Sequence, residues 1–355
     1  MFNPNYQITS KIAQALVRIE LAKEAVSGLP ITQNLLMSLR KSARLASTHY
    51  STQIEGNRLT QSQVEEVVIE TKHFKDRERD EKEVLGYYEA LDQITKWAEE
   101  KIQLSEQYIQ RLHALVMGDK RIRFTPYRDG QNVIRETDTG NIIYMPPEAK
   151  DVSQMIKDLL LWLEMSKIEG VPDPIRASIV HYQFATIHPY YDGNGRTSRL
   201  LTNLVLYLGG YDLKGIYSLE EYYAQRLDAY YAAISVGDSH NYYEGRAEAD
   251  ITGWVEYFCQ GMAKSFEDVK NKAQSLAGEE PDQSNYLKNL DPRKKEILRR
   301  YKKGDTILTK DIQDVFIIGQ RNASYLAQKW VKEGFLEIIN ESKKNRRYEI
   351  SETQN

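Results

Sequence analysis

The chain has 355 residues, 41% hydrophobic and 28% charged, with a formal net charge of −3, the composition of a folded protein long enough for two or three domains. No run approaches the length of a membrane-spanning apolar segment, and "MFNPNYQITSKIAQ" lacks the charged-then-apolar pattern of a secretion signal, so a cytoplasmic protein without a membrane partner is expected. Cys259, the only cysteine, excludes an internal disulfide and a multi-cysteine zinc site, and six scattered histidines leave any metal chemistry to carboxylates.

Residues 6–115 carry apolar side chains at three- and four-residue spacing, as in "KIAQALVRIELAKEAV" and "SQVEEVVIETKHF", which predicts amphipathic helices. Within them, "STQIEGNRLT" puts Ser51 and Glu55 four residues apart on one face of a helix that Gly56-Asn57 would end. In "QNVIRETDTGNIIYMPP" two short β-branched runs flank a turn, which predicts a hairpin over about 131–147. The helix "AKDVSQMIKDLLLWLEM" follows, and Pro174 then opens a helix that runs through "IRASIVHYQFATI" to His188. His181, on the same face one heptad earlier, reads as a buried structural histidine. After the loop, "TSRLLTNLVLYLGG" is apolar almost all round, the pattern of a buried helix closed by glycines.

The polar stretch "AQSLAGEEPDQSNYLKNLD" reads as a linker, placed at 271–290. Residues 281–355 hold 16 Lys and Arg against 11 Asp and Glu, a net +5, which leaves −8 for the rest of the chain. There "PRKKEILRRY", "TKDIQDVF" and "RNASYLAQKWVKEG" are predicted helices, and "FLEIIN" and "RRYEIS" are strands flanking the turn "ESKKN". That is the order of a winged helix-turn-helix domain over 291–355, with Arg321, Lys343, Lys344, Arg346 and Arg347 available to phosphates.

The loop "HPYYDGNGRTSR", His188 to Arg199, concentrates the chemistry. Gly193 and Gly195 leave backbone N–H groups unobstructed at the positive end of the following helix, which makes an anion nest. Arg196 and Arg199 can bring two guanidinium groups to one polyphosphate. Asp192 supplies a hard oxygen suited to Mg²⁺, and His188 an imidazole suited to general-base work near neutral pH. Together these residues describe nucleotidyl or phosphoryl transfer without a Walker-type loop.

The run resembles the motif of the Fic (Fido) family, His-x-Phe-x-Asp/Glu-Gly-Asn-Gly-Arg-x-x-Arg, with Tyr190 where Phe is usual. The resemblance implies a mainly α fold: a helical Fic core over 106–270 with a small β-hairpin flap, preceded by a helical region over 1–105. It implies AMP transfer from Mg·ATP to a hydroxyl of a target protein or of the chain itself. His188 would be the base and Asp192 the Mg²⁺ ligand. Gly193, Asn194 and Gly195 would form the phosphate cradle, and Arg196 and Arg199 the cations, with Thr197 and Ser198 between them among the nucleotide-binding positions. Tyr190 would put its ring into the core, with its hydroxyl needing a partner.

By the same resemblance Ile143 and Tyr144 on the flap would line the nucleotide, and Tyr230 and Tyr231 of "DAYYAAI" would hold adenine. "STQIEG" resembles the inhibitory string Ser/Thr-x-x-x-Glu-Gly/Asn, which implies that Glu55, helped by Ser51, pairs with Arg199 and blocks the ATP γ-phosphate. Glu55 would also be placed to assist removal of AMP. A homodimer is a further implication. Two other functions fit the same residues: a DNA-binding regulator whose Fic core is a sensor, and a Fic relative that transfers a different phosphate-containing group.

Overall fold

The computed structural model describes residues 2–118, 123–135, 139–237, 239–279, 291–301, 304–340 and 346–351, in two compact units, Met1–Glu279 and Glu280–Asn355. In the first unit, α1 (Ser10–Ser27) buries Ile12, Ala15, Ile19, Ala22 and Val26, a stripe at alternating three- and four-residue steps. That stripe packs along α11 (Thr252–Glu279), the long helix that closes the unit. Thr9 caps α1 by accepting from the Ile12 N–H and ties the helix start to α11 by donating to Glu256 Oε1 at 2.7 Å. Truncating Ile19, fully buried, to Ala would cost about 2–5 kcal/mol by the usual cavity penalty.

Between them run α2 (Gln33–Ile54), α3 (Gln61–Ile69), α4 (Glu78–Glu99), α5 (Glu106–Val116), α6 (Ala149–Ile168), α7 (Asp173–Ile187), α8 (Asn194–Leu208), α9 (Leu219–Ala224) and α10 (Leu227–Ile234). The helix α3 is shorter than the apolar spacing predicts, stopping at Ile69 before Thr71, which takes a left-handed φ of 54°. Pro174 sits in the first turn of α7, where its missing N–H leaves no helical bond unmade. The helix α8 is buried along almost its whole length and packs against α7, α4 and α5. The residues that precede it therefore lie where several helices converge.

The flap is a two-stranded antiparallel ribbon, β1 (Ile134–Arg135) and β2 (Ile142–Tyr144), with Ile134 opposite Tyr144. Residues 136–138 of its expected turn lie outside the described residues.

The linker expectation is corrected at its start. Residues 271–279 continue α11, because Ala273 is buried and extends the apolar stripe of that helix beyond the polar composition around it. Residues 280–290 lie outside the described residues.

The second unit runs α12 (Pro292–Arg300), β3 (Ile307–Leu308), α13 (Thr309–Phe316), α14 (Gln320–Lys332), β4 (Leu336–Asn340) and β5 (Arg347–Ile350). Its sheet has the order β3-β5-β4, all antiparallel, so β3 adds a strand that sequence patterning missed because only two residues pair. Its own core holds Ile297, Ile312, Trp330 and Tyr348, with Trp330 set edge-on to Phe335 at 5.6 Å between ring centroids. Residues 341–345, the expected turn with Lys343 and Lys344, lie outside the described residues.

Candidate active site

Pro189 crowds the residue before it out of the helical region, so α7 ends at Ile187 and His188 takes a left-handed conformation, φ 52° and ψ 59°. Its backbone N–H still bonds Phe184 O at 3.0 Å. The chain then loops for five residues to Gly193, the N-cap of α8, where φ is 75° and a side chain would be strained. Asn194 braces the loop, donating to Tyr190 O at 2.7 Å and accepting from Tyr190 N at 2.9 Å. The Tyr190 ring is buried and stacked on His113 at 3.6 Å between centroids. His113 Nε2 in turn donates to Asp192 O at 2.8 Å, so the ring of one fixes the backbone beside the other. The expected partner for the Tyr190 hydroxyl is corrected: among the described residues that buried oxygen has none, because the stacking on His113 fixes where the ring can point.

His188 is half-buried, and burial is the main reason its imidazole is held down to about 4, with the Arg128 charge helping and the Ala185 carbonyl, Glu55 and Asp192 opposing. The imidazole is therefore neutral at pH 7. A neutral imidazole carries one ring nitrogen with its lone pair free to take a proton.

Both arginines of the loop are nearly inaccessible, at 2% exposure. Arg199 donates from Nε to Ser51 Oγ, from Nη2 to Ser51 O and from Nη2 to Glu55 Oε1, all at 2.8 Å. Burial works against its charge, but Glu55 foremost, then Tyr230 and Tyr87, raise its pKa above the usual arginine value. Glu55 reaches it because α2 ends at Ile54 and Glu55 is the C-cap residue, its side chain one-third exposed at 34%. A Cβ at Gly195 would collide with Glu55 Oε1, so the carboxylate lies directly over the first turn of α8. Arg196 bonds Asp192 Oδ1 at 3.2 Å and lies 3.7 Å from Glu83 Oε1, the oxygen that also holds Arg79, while Glu83 Oε2 accepts from the Asn57 amide.

Beneath Arg199 lies a chain of buried polar groups. Thr202 donates its hydroxyl to Ser198 O, so it accepts from His181 Nδ1, and His181 Nε2 is left to accept from Tyr230 Oη at 2.9 Å. Burial holds the Tyr230 hydroxyl above its usual range, and the nearby Arg199 charge works against that rise. His181 is fully buried and held down to about 3, first by burial and then by Arg199, a neutral structural histidine. On the other side Glu220, 1% exposed, accepts from Ser47, Ser218, Tyr87 and Asn203. Four hydrogen bonds offset the cost of burying that carboxylate.

Three expectations change. Tyr230 is 4% exposed and supports Arg199 from below, so it presents no face to an adenine, whereas Tyr231 is 46% exposed and donates to Ile54 O at 3.4 Å. Tyr144 is buried and donates to Thr186 O at 2.8 Å, so it anchors the flap to α7, while Ile143 on the opposite face of β2 is exposed. The Ser198 hydroxyl bonds His181 O in the core, and Asn194 uses its side chain within the loop, which leaves their backbone N–H groups rather than their side chains for an anion. Thr197 is fully buried.

Among the described residues no cluster of three His, Cys, Asp or Glu could hold a metal ion. Asp192 keeps a half-exposed carboxylate, at 54%, with Oδ1 accepting from Gly193 N at 2.6 Å. A single carboxylate beside a phosphate nest suits Mg²⁺, which takes one or two protein oxygens and completes its shell with phosphate and water. Glu83, His113, Tyr87 and Glu220 were not picked out in the sequence, since each lies in an ordinary helical pattern, and Asn57 was read only as part of a helix end.

The Fic/DOC family profile matches residues 103–206, which include the flap and the loop. A protein adenylyltransferase Fic of Drosophila erecta is 29% identical over 214 residues, covering 58% of this chain and 42% of that protein, so the chain spans less than half its relative's length. In fold, the chain is similar to a Fic family protein of Desulfovibrio desulfuricans, with TM-score 0.70 and 21% identity over the whole of both chains. It is also similar to a Fic domain containing signaling protein of Bacteroides thetaiotaomicron, with TM-score 0.61 and 22% identity over 75% of this chain and 97% of that one. The Fic/DOC match over 103–206 thus takes in the whole motif from His188 to Arg199, set at the head of a buried helix, and the fold of the chain is that of the Fic proteins it resembles.

Proposed function

We propose that this chain is a self-inhibited protein adenylyltransferase, and the observation that carries the reading is the Glu55 carboxylate seated on Arg199 and over Gly195. A carboxylate and a phosphate compete for one guanidinium, so the cation a triphosphate needs is occupied from within. With Glu55 displaced, Arg199, Arg196 and the N–H groups at the start of α8 bind the phosphates of ATP. Asp192 would hold a Mg²⁺ ion, whose chemistry there is to offset phosphate charge. The neutral His188 takes the proton of a target hydroxyl as that oxygen bonds the α-phosphorus. The bond from the α-phosphorus to the bridging oxygen breaks, and pyrophosphate leaves. Exposed Ile143 and Tyr231 remain as contacts for nucleotide or target. The curated relative's name, protein adenylyltransferase, supports this chemistry.

Incubation of the Glu55→Gly protein with ATP labelled at the α or the γ phosphate tests the reading. Label from the α position should appear on protein, the chain itself included, and should be lost on chelation of Mg²⁺. Transfer of the γ label alone would replace AMP transfer with phosphoryl transfer.

A second reading concerns the smaller unit. The helix α14 exposes Arg321, Asn322, Tyr325, Gln328 and Lys329, donor-rich side chains of the kind that read duplex DNA. A gel shift of duplex DNA by the full chain that weakens with salt would support it, and no shift at low salt would remove it.

A further inference from the structure

Arg128 is 3% exposed, and its guanidinium faces carbonyls instead of a carboxylate. Among the described residues Nε donates to His188 O at 3.0 Å, Nη1 to Gly130 O at 3.0 Å and Nη2 to Pro147 O, while its backbone N–H donates to Pro189 O at 2.9 Å. Burying a cation without an anion costs several kcal/mol unless its donors are satisfied, and here fixed carbonyl dipoles do so. Such a site is expensive to keep for packing alone.

The three carbonyls belong to three places that must be held in register. Gly130 lies before β1 and Pro147 after β2, the two feet of the flap, and His188 is the base, held in a left-handed conformation. A guanidinium is planar with its donors at fixed angles, so satisfying all three at once fixes their relative positions. A lysine ammonium on a flexible stem could not do the same. The flap has other ties as well, none of which reaches the backbone of His188: the Tyr144 bond to Thr186 O, a backbone bridge in which Met145 N donates to His240 O at 2.7 Å and Met145 O accepts from Tyr242 N at 3.0 Å, Gly130 N to Tyr191 Oη at 2.9 Å, and Asn132 Nδ2 to Tyr190 O at 3.3 Å.

We infer that Arg128 is a positioning residue that joins both feet of the flap to the backbone of His188 and so sets the distance between the flap and the base. This rests on the proposed transfer reaction for its consequence, but not for its geometry. With its donors on three backbone carbonyls, the residue acts through the flap and the loop.

The test uses the full chain in the Glu55→Gly background, with Arg128→Lys as the deciding variant and Arg128→Met beside it. Hydrogen exchange of flap amides between 131 and 147 should speed up by about 10-fold or more in Arg128→Lys while α2 and α8 keep their protection. The dissociation constant for ATP should stay within about twofold, and the turnover of AMP self-transfer should fall by about 10- to 100-fold, as expected for lost positioning. Unchanged flap exchange in a folded Arg128→Lys protein would overturn the inference, as would loss of protection spread evenly over the unit. If Arg128→Met fails to fold, Arg128→Lys still decides. If the parent protein transfers no AMP, the exchange measurement stands alone, so failure of the reaction and failure of the positioning role are told apart.

Discussion

Replacing Glu55 by Gly removes the carboxylate that lies on Arg199 and over Gly195. The contact is one charge-assisted hydrogen bond at 2.8 Å, of the kind that contributes about 1.5–3 kcal/mol. Because 34% of the Glu55 side chain is exposed, solvent screening points to the lower part of that range. A gain of about 1.5–2 kcal/mol is about 10- to 30-fold in ATP affinity. Ser51 should remain on Arg199, since its hydroxyl and carbonyl are held inside α2 one turn before the helix end. Calorimetric titration with Mg·ATP and AMP transfer at ATP below its dissociation constant would both measure the effect. Glu55→Gln, which keeps the volume over Gly195 but not the charge, should fall between parent and Glu55→Gly. An affinity for ATP and a transfer rate that both match the parent's in Glu55→Gly would refute competition at Arg199.

Other expectations follow from the same geometry. In the Glu55→Gly background, His188→Ala should lower transfer by at least about 100-fold while ATP binding is kept, because the imidazole acts on the hydroxyl and not on the phosphates; substantial transfer would exclude it as base. The His188 imidazole, held down to about 4, stays neutral from pH 8 to 5.5, so the rate should show no acid limb near 6.5, and a limb centred there would contradict the burial argument. Stability behaves differently. The unfolded histidines bind protons below 6.5, while His113, lowered by burial to about 4, and His181, lowered to about 3, do not. Their contribution is complete above 6.5 and is lost as pH falls, by on the order of 2 kcal/mol each at pH 5, which urea unfolding at pH 7.5 and 5 would read. Tyr190→Phe removes a buried hydroxyl without a partner among the described residues and should raise stability by about 1 kcal/mol. A lowered unfolding temperature would show that the oxygen is bonded after all.

What was legible in the sequence is what depends on local order. The sharp end of α7 follows from His188-Pro189, the nest from Gly193 and Gly195, and the buried α8 from an apolar run closed by Gly209-Gly210, since proline and glycine constrain the backbone wherever they stand. The stripe of α1 was equally plain, because its period is its own. The resemblance carried Glu55 to Arg199 across the chain, and the 2.8 Å contact agrees with it.

Only the tertiary structure decided which side of the site each aromatic serves. Tyr230 and Tyr231 are neighbours in sequence, yet one lies beneath Arg199 with His181 and the other on the surface beside the end of α2. Tyr144 and Ile143 divide in the same way across β2. Arg128, Glu83 and Glu220 could not be singled out beforehand, because their roles depend on hydrogen bonds to segments as far as 173 residues away. The sequence by itself determined the parts proposed to hold phosphate and take a proton. Packing decided how they are held in register and checked, since a hydrogen bond reports distance in space and leaves no periodic trace along the chain.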